Sequence, residues 1–139
     1  MMDNPVTHVV LLNTQANVAA TRDLGTRIRE RFRVHGIDIE IRVLAKGDDI
    51  VAVARRAVAG APDVIVAGGG DGTVSAVASA VVGTSATIGV LPLGRLNHFA
   101  QEIGLPVDVD SAIGSICSGL VTRFGVARRL PHTLHTTSL

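Results

Sequence analysis

Two rhythms of apolar and polar residues alternate along the chain. Val9-Val10-Leu11-Leu12 and Val64-Ile65-Val66-Ala67 are short unbroken apolar runs, and Thr87 to Leu91 is a third, closed by Pro92. Runs of this length read as strands buried on both faces, the kind that fill parallel sheets. Between them Ala20, Leu24, Ile28 and Phe32 recur at every fourth position and mark one face of a helix, which Gly36 stops. Ile37, Ile39, Ile41 and Val43 alternate with Asp38, Glu40 and Arg42, which predicts a strand with one polar face near a sheet edge. Further helices are predicted over 50–59, capped by Asp48 or Asp49 and ended by Gly60 and Pro62, and over 73–82, 97–103 and 111–120, the last capped by Asp110. Residues 121–126 read as a last strand.

Strands alternating with helices predict an α/β fold, a three-layer α/β/α sandwich around a mainly parallel sheet. The pattern holds over residues 1–127 and breaks at Arg128-Arg129-Leu130-Pro131. Residues 128–139 are therefore expected to be a tail, mostly polar from His132 onward and without a partner element.

Composition narrows the function. Hydrophobic residues make up 47% of the 139 and charged residues 18%, which suits a packed domain and not a disordered chain. A formal net charge of +1 gives no footprint for nucleic acid. Cys117 is alone, so an internal disulfide and a cysteine zinc site are excluded, and a buried, inert thiol is expected. The apolar run at Val9–Leu12 is too short for a signal peptide, and no stretch approaches a membrane span. A cytoplasmic protein is expected, with peripheral contact at the inner membrane surface left open. Arg22, Arg27, Arg29, Arg31 and Arg33 wrap around their helix instead of forming one stripe, so a solvated face explains them better than a lipid-binding one.

The chemistry concentrates at Gly68-Gly69-Gly70-Asp71-Gly72-Thr73, between a buried strand and a helix. Glycines there allow φ > 0 and a close backbone approach to an anion, and the helix start aims free N–H groups and its positive dipole end into the same space. The loop lacks the lysine of a Walker A motif, and the dinucleotide fingerprint fits in no register. Asp71 beside bound phosphate would be repelled unless a cation lay between them, which points to Mg²⁺. The plainer reading is that Asp71 caps the following helix. A second loop, Pro92-Leu93-Gly94-Arg95-Leu96-Asn97-His98-Phe99-Ala100, follows the next buried strand and so reaches the same sheet edge.

Gly-Gly-Gly-Asp-Gly-Thr after one strand and Pro-Leu-Gly-x-x-Asn-x-Phe-Ala after the next, with Asn13 ending the first strand, resemble the catalytic domain shared by bacterial diacylglycerol kinases, sphingosine kinases and ceramide kinases. The resemblance runs from about Val6 to Val126. It implies an α/β domain like the N-terminal domain of NAD kinase and diacylglycerol kinase, and transfer of the ATP γ-phosphate to a diacylglycerol-like lipid hydroxyl. It implies ATP and Mg²⁺ as cofactors, with ATP and a lipid as partners. Nucleotide-binding positions carried over are Asn13, Gly69, Gly70, Asp71, Gly72, Thr73, Gly94 and Asn97; Arg95 joins them as a phosphate clamp or as bulk that fills the pocket. Asp71 becomes the candidate catalytic residue and metal ligand. Departures are Arg95 where Thr is usual, Thr73-Val74-Ser75-Ala76 where Thr-Val-Asn-Glu is usual, and His98 where an acidic residue is common. Family members continue into a β-rich domain expected to supply much of the lipid site and the catalytic carboxylate, and residues 132–139 are read as a remnant of its first strand. The isolated chain is then expected to be inactive or weakly active, with exposed apolar surface favouring a homo-oligomer. An NAD kinase-like enzyme is one alternative, weakened by the missing Asn-Glu pair; a non-catalytic nucleotide-binding module or inactive fragment is another.

Overall fold

The computed structural model describes residues 7–94, 96–119, 123–126 and 134–137. In chain order the elements are β1 (His8–Leu12), α1 (Val18–Val34), β2 (Ile39–Val43), α2 (Ile50–Ala59), β3 (Val64–Gly69), α3 (Asp71–Val81), β4 (Thr87–Pro92), α4 (His98–Glu102), α5 (Val109–Ser118), β5 (Arg123–Val126) and β6 (Leu134–Thr137). The first four strands form one parallel sheet in the order β2-β1-β3-β4.

Side chains leave a strand on alternate sides, so each central strand feeds two cores. Val9, Leu11, Ile65, Ala67 and Val90 pack with Ala54 and Ala57 of α2 and with Val74 and Val77 of α3. Val10, Leu12, Val66 and Leu91 pack on the other side with Ile28 and Phe32 of α1 and with Ala112 and Ile113 of α5. The fold is thus the expected α/β/α sandwich. Removing a fully buried side chain of this size from water contributes about 1.5–3 kcal/mol each, and Leu11, Leu12, Phe32, Ile65 and Leu91 are all so placed. The polar-faced strand β2 does lie at a sheet edge.

Three local expectations change. The inner face of α1 is Thr21, Gly25, Ile28 and Phe32, one position on from the Ala20–Leu24 start of the fourfold pattern. A Cβ on Gly25 would lie in ordinary contact with Ile41 and Leu12, at 3.7 and 3.9 Å, so the glycine faces the sheet without being required by crowding. α3 begins at Asp71, two residues earlier than predicted. The cap of α5 is Asp108, whose extended backbone lets its carboxylate accept from the Ser111 N–H at 2.9 Å. That N–H, helped by the Ser111 side chain, holds the Asp108 carboxyl below the ordinary carboxylate range. Asp110 lies inside the first turn and forms a two-pronged pair with Arg31 of α1, at 3.1 and 2.9 Å.

The expected last strand, in contrast, is β5, and it pairs antiparallel with β6 in a separate two-stranded sheet. Part of the segment taken as a partnerless tail therefore has a partner. Residues 120–122, 127–133 and 138–139 lie outside the described residues. Among the described residues no helix is long and apolar enough to cross a membrane.

Candidate functional site

Strand order creates the site. From β1 the chain moves outward to β2, then returns to the other side of β1 for β3. The helices that follow β1 and β3 consequently lie on opposite faces of the sheet, α1 in one core and α3 in the other. A crevice opens at the carboxyl ends of two such strands, the usual ligand position in open parallel sheets. Sheet hydrogen bonding runs past the strand ends and fixes the loops there. Asn13 N–H donates to Gly68 O at 2.8 Å, and Leu93 N–H to Gly69 O at 3.0 Å.

The glycines are explained by crowding, not by left-handed backbone. The positive-φ glycines are Gly36, Gly47, Gly83, Gly104 and Gly119, and none of Gly68, Gly69, Gly70, Gly72 or Gly94 is among them. The expectation of φ > 0 in the loop is therefore wrong, because the turn into α3 is made with ordinary dihedrals. A Cβ on Gly69 would stand 2.6 Å from Thr73 Oγ1 and 3.1 Å from Asn13 O. One on Gly94 would stand 2.5 Å from Gly70 Cα. The loops after β3 and β4 thus touch backbone to backbone. Gly72 differs, since it is exposed and a Cβ there meets nothing within 4 Å.

Gly70 is the N-cap of α3 and has no side chain to cap it. The first helical bond is Val74 N–H to Gly70 O at 3.1 Å, so the N–H groups of the opening turn receive no side-chain partner from the cap. Asp71 is the first helical residue, where a negative charge meets the positive end of the helix dipole. It does not cap its own helix. Its Oδ2 accepts from the main-chain N–H of His98, the first residue of α4, at 3.1 Å. Sequence reasoning could not find this partner, because the contact is made by the backbone and leaves no mark on residue identity. The His98 side chain is exposed.

The other candidates assemble in pairs. Asn13 Nδ2 donates to Thr73 Oγ1 at 3.0 Å, joining the end of β1 to the first turn of α3. Asn97 has φ 51°, in the left-handed region. Its Oδ1 accepts from Gly94 N–H at 3.0 Å and its Nδ2 donates to Gly94 O at 2.9 Å. Both of its polar groups are thereby spent on shaping the second loop. Arg95 lies outside the described residues. The structure brings Asn13, Gly69, Gly70, Asp71, Gly72, Thr73, Gly94 and Asn97 together at one sheet edge.

Asp48 and Asp49, the two candidate caps of α2, both accept main-chain N–H groups. Asp48 Oδ2 accepts from Ala45 N–H at 2.7 Å, and Asp49 caps α2 through Ala52 N–H at 3.2 Å. Cys117 is half-buried against the α1–α5 core, and burial pushes its thiol up, away from nucleophilic use. Among the described residues no group of three or more His, Cys, Asp or Glu side chains could hold a metal. Asp71 is the one carboxylate in the glycine loop, a donor set that fits a Mg²⁺ carried largely by substrate phosphates and not a protein-built cage.

Comparison with known proteins agrees with this geometry. Residues 7–129 match the diacylglycerol kinase catalytic domain. The "Probable lipid kinase YegS-like" protein of Klebsiella pneumoniae (strain 342) is 34% identical over 126 residues, which is 89% of this chain and 41% of that protein. Its namesake in Yersinia enterocolitica is 30% identical over 122 residues, covering 85% of this chain and 41% of the relative. The chain thus spans about two-fifths of the length of these relatives. A diacylglycerol kinase structure from Bacillus anthracis str. Sterne superposes with a TM-score of 0.70 at 20% identity, over 86% of this chain and 46% of that one, which bears on the fold alone. The family match takes in all four strands of the parallel sheet and both loops of the site, and the chain belongs to the diacylglycerol kinase catalytic domain family.

Proposed function

We propose that the crevice between β1 and β3 binds ATP with Mg²⁺, and that the chain is the nucleotide-binding part of a lipid kinase moving the γ-phosphate of ATP to a lipid hydroxyl. The observation that carries this reading is the opening turn of α3. Its cap has no side chain, and the exposed Gly72 within it has neither a steric nor a φ reason to be glycine. An anion seated on that turn supplies the reason, since it needs main-chain N–H groups and no Cβ in its way. Phosphoryl transfer depends mostly on positioning and on neutralising charge on the transferring group. Main-chain donors and Asp71, holding Mg²⁺ together with the phosphates, are the parts this chain would contribute.

The family membership supports the lipid acceptor, as do relatives named probable lipid kinases. We place the acceptor site and its base in the part of those relatives that this chain does not cover. A lipid acceptor would be met at a membrane surface. Three of the five α1 arginines are engaged within the chain: Arg29 donates to Ile39 O, Arg31 pairs with Asp110, and Arg33 lies 3.5 Å from Asp38.

The test is a calorimetric titration of Mg-ATP into the wild type, Gly72→Ala and Gly72→Leu, with urea unfolding in parallel. Both variants should fold, because the Cβ enters open space. Affinity should fall on the order of tenfold in Gly72→Ala, the loss of about one hydrogen bond to a charged group, and further in Gly72→Leu. Equal affinity in all three would remove the anion from this turn.

A further inference from the structure

We propose that Asn13 is a positioning residue that acts on bound phosphate only through Thr73 and does not touch the ligand. This rests on the phosphate reading above and departs from the expectation that Asn13 and Thr73 each contact nucleotide.

Burial is the starting point. Thr73 is only 4% exposed, although it belongs to the opening turn of the helix that faces the crevice. Its Oγ1 accepts from Asn13 Nδ2 at 3.0 Å. The Cβ direction of Gly69 points at the same oxygen, 2.6 Å away, and at Asn13 O, 3.1 Å away. The hydroxyl is thus walled in by the end of β1 and by Gly69, on the protein side of the turn. A bond so enclosed is a strut beneath the anion seat.

The strut matters because of what the turn otherwise lacks. α3 joins β3 through Gly70, the most permissive residue for backbone rotation, and that cap provides no side-chain bond. The Asn13–Thr73 bond ties the first turn to β1, a strand on the far side of the crevice and sixty residues away in sequence. It therefore sets the angle at which the Asp71, Gly72 and Thr73 N–H groups meet an anion. Hydrogen bonds weaken steeply with misalignment, so a small rotation costs affinity while the fold survives.

A double-mutant cycle tests this with Mg-ATP and inorganic pyrophosphate as probes, read by calorimetry, with urea unfolding as the fold control. Asn13→Ala and Thr73→Val should each weaken binding on the order of tenfold, as for loss of one hydrogen bond. The double variant should be no weaker than either single one. Thr73→Ser, which keeps the hydroxyl, should recover most of the affinity lost in Thr73→Val. Thr73→Ala serves the same cycle should the valine variant not fold. Losses that multiply in the double variant would mean Asn13 contacts the ligand itself, and the proposal fails. Unchanged affinity with a lowered unfolding midpoint would make the pair a fold element only, and it fails again. A wild type that binds neither probe would sink the phosphate reading and this inference with it; a wild type that binds, with multiplying losses, sinks this inference alone.

Discussion

Replacing Gly94 by alanine isolates the contact that closes the site. The new Cβ would lie 2.5 Å from Gly70 Cα, against the roughly 3.5–4.0 Å at which two carbons rest comfortably. The loops must therefore part by about 1 Å. No side-chain rotation can relieve the clash, since both atoms belong to main chain. Gly94 is not among the positive-φ glycines, so alanine brings no dihedral strain of its own and the whole effect is steric. Overpacking of this kind costs about 1–3 kcal/mol. Parting the loops also strains the Asp71 bond to His98 N–H, which ties the same two loops. Urea unfolding should show a loss of about 1–3 kcal/mol, and Mg-ATP affinity should fall with it. Gly114→Ala is the control. That glycine lies inside α5 with nothing within 4 Å of its Cβ position, so alanine should stabilise by about 0.5–1 kcal/mol. A Gly94→Ala protein as stable as wild type would refute the backbone contact between the loops.

Two further predictions concern the frame. Asp108 has its carboxyl held below the usual range by the Ser111 N–H, so its cap on α5 is fully present above the unfolded-state carboxylate pKa and is lost as pH falls through the lower folded value. Asp108→Ala should lower the thermal midpoint at neutral pH, and the gap to wild type should close in strong acid; a gap independent of pH would contradict the cap. Ala61, just past α2, has φ 55°, and Ala61→Gly should raise the urea-derived stability by about 0.5–1 kcal/mol by removing the left-handed penalty of a Cβ.

The layered fold was legible because its signals are physical and local. Unbroken apolar runs marked strands covered on both faces, and four-residue spacing marked helices that cover them. Misplacements occurred where several residues could do the same job. Asp108 and Asp110 are both good caps by type, and only the extended backbone at Asp108, with the Arg31 partner at Asp110, separates them. Gly60 ends α2 as read from sequence, at φ −76°, but the left-handed position falls on Ala61, which residue type does not signal. The β5–β6 pairing is local, joining consecutive four-residue strands, but Leu134–Thr137 carries no strong apolar pattern to announce its strand.

At the site, the sequence marked the loops but not the work of each residue in them. A run of glycines looks the same whether a neighbour or a ligand excludes the side chain. The structure separates the two cases by what a Cβ would meet. At Gly69 it meets Thr73 and Asn13, and at Gly94 it meets Gly70, so these glycines belong to the architecture that brings the β1, β3 and β4 loops to one point. At Gly72 it meets nothing, and the dihedrals ask for nothing either. Asn97 and Asn13 divide along the same line. Both carry amides suited to a nucleotide, yet Asn97 spends its amide on Gly94 and Asn13 donates to buried Thr73. On the proposed reading the anion is met by main-chain N–H groups of the turn together with Asp71, arranged by Asn13 and Asn97 behind them. A site of that kind recognises an anion by backbone direction, so its affinity should respond more to the residues that hold the turn than to the polarity of those along its rim.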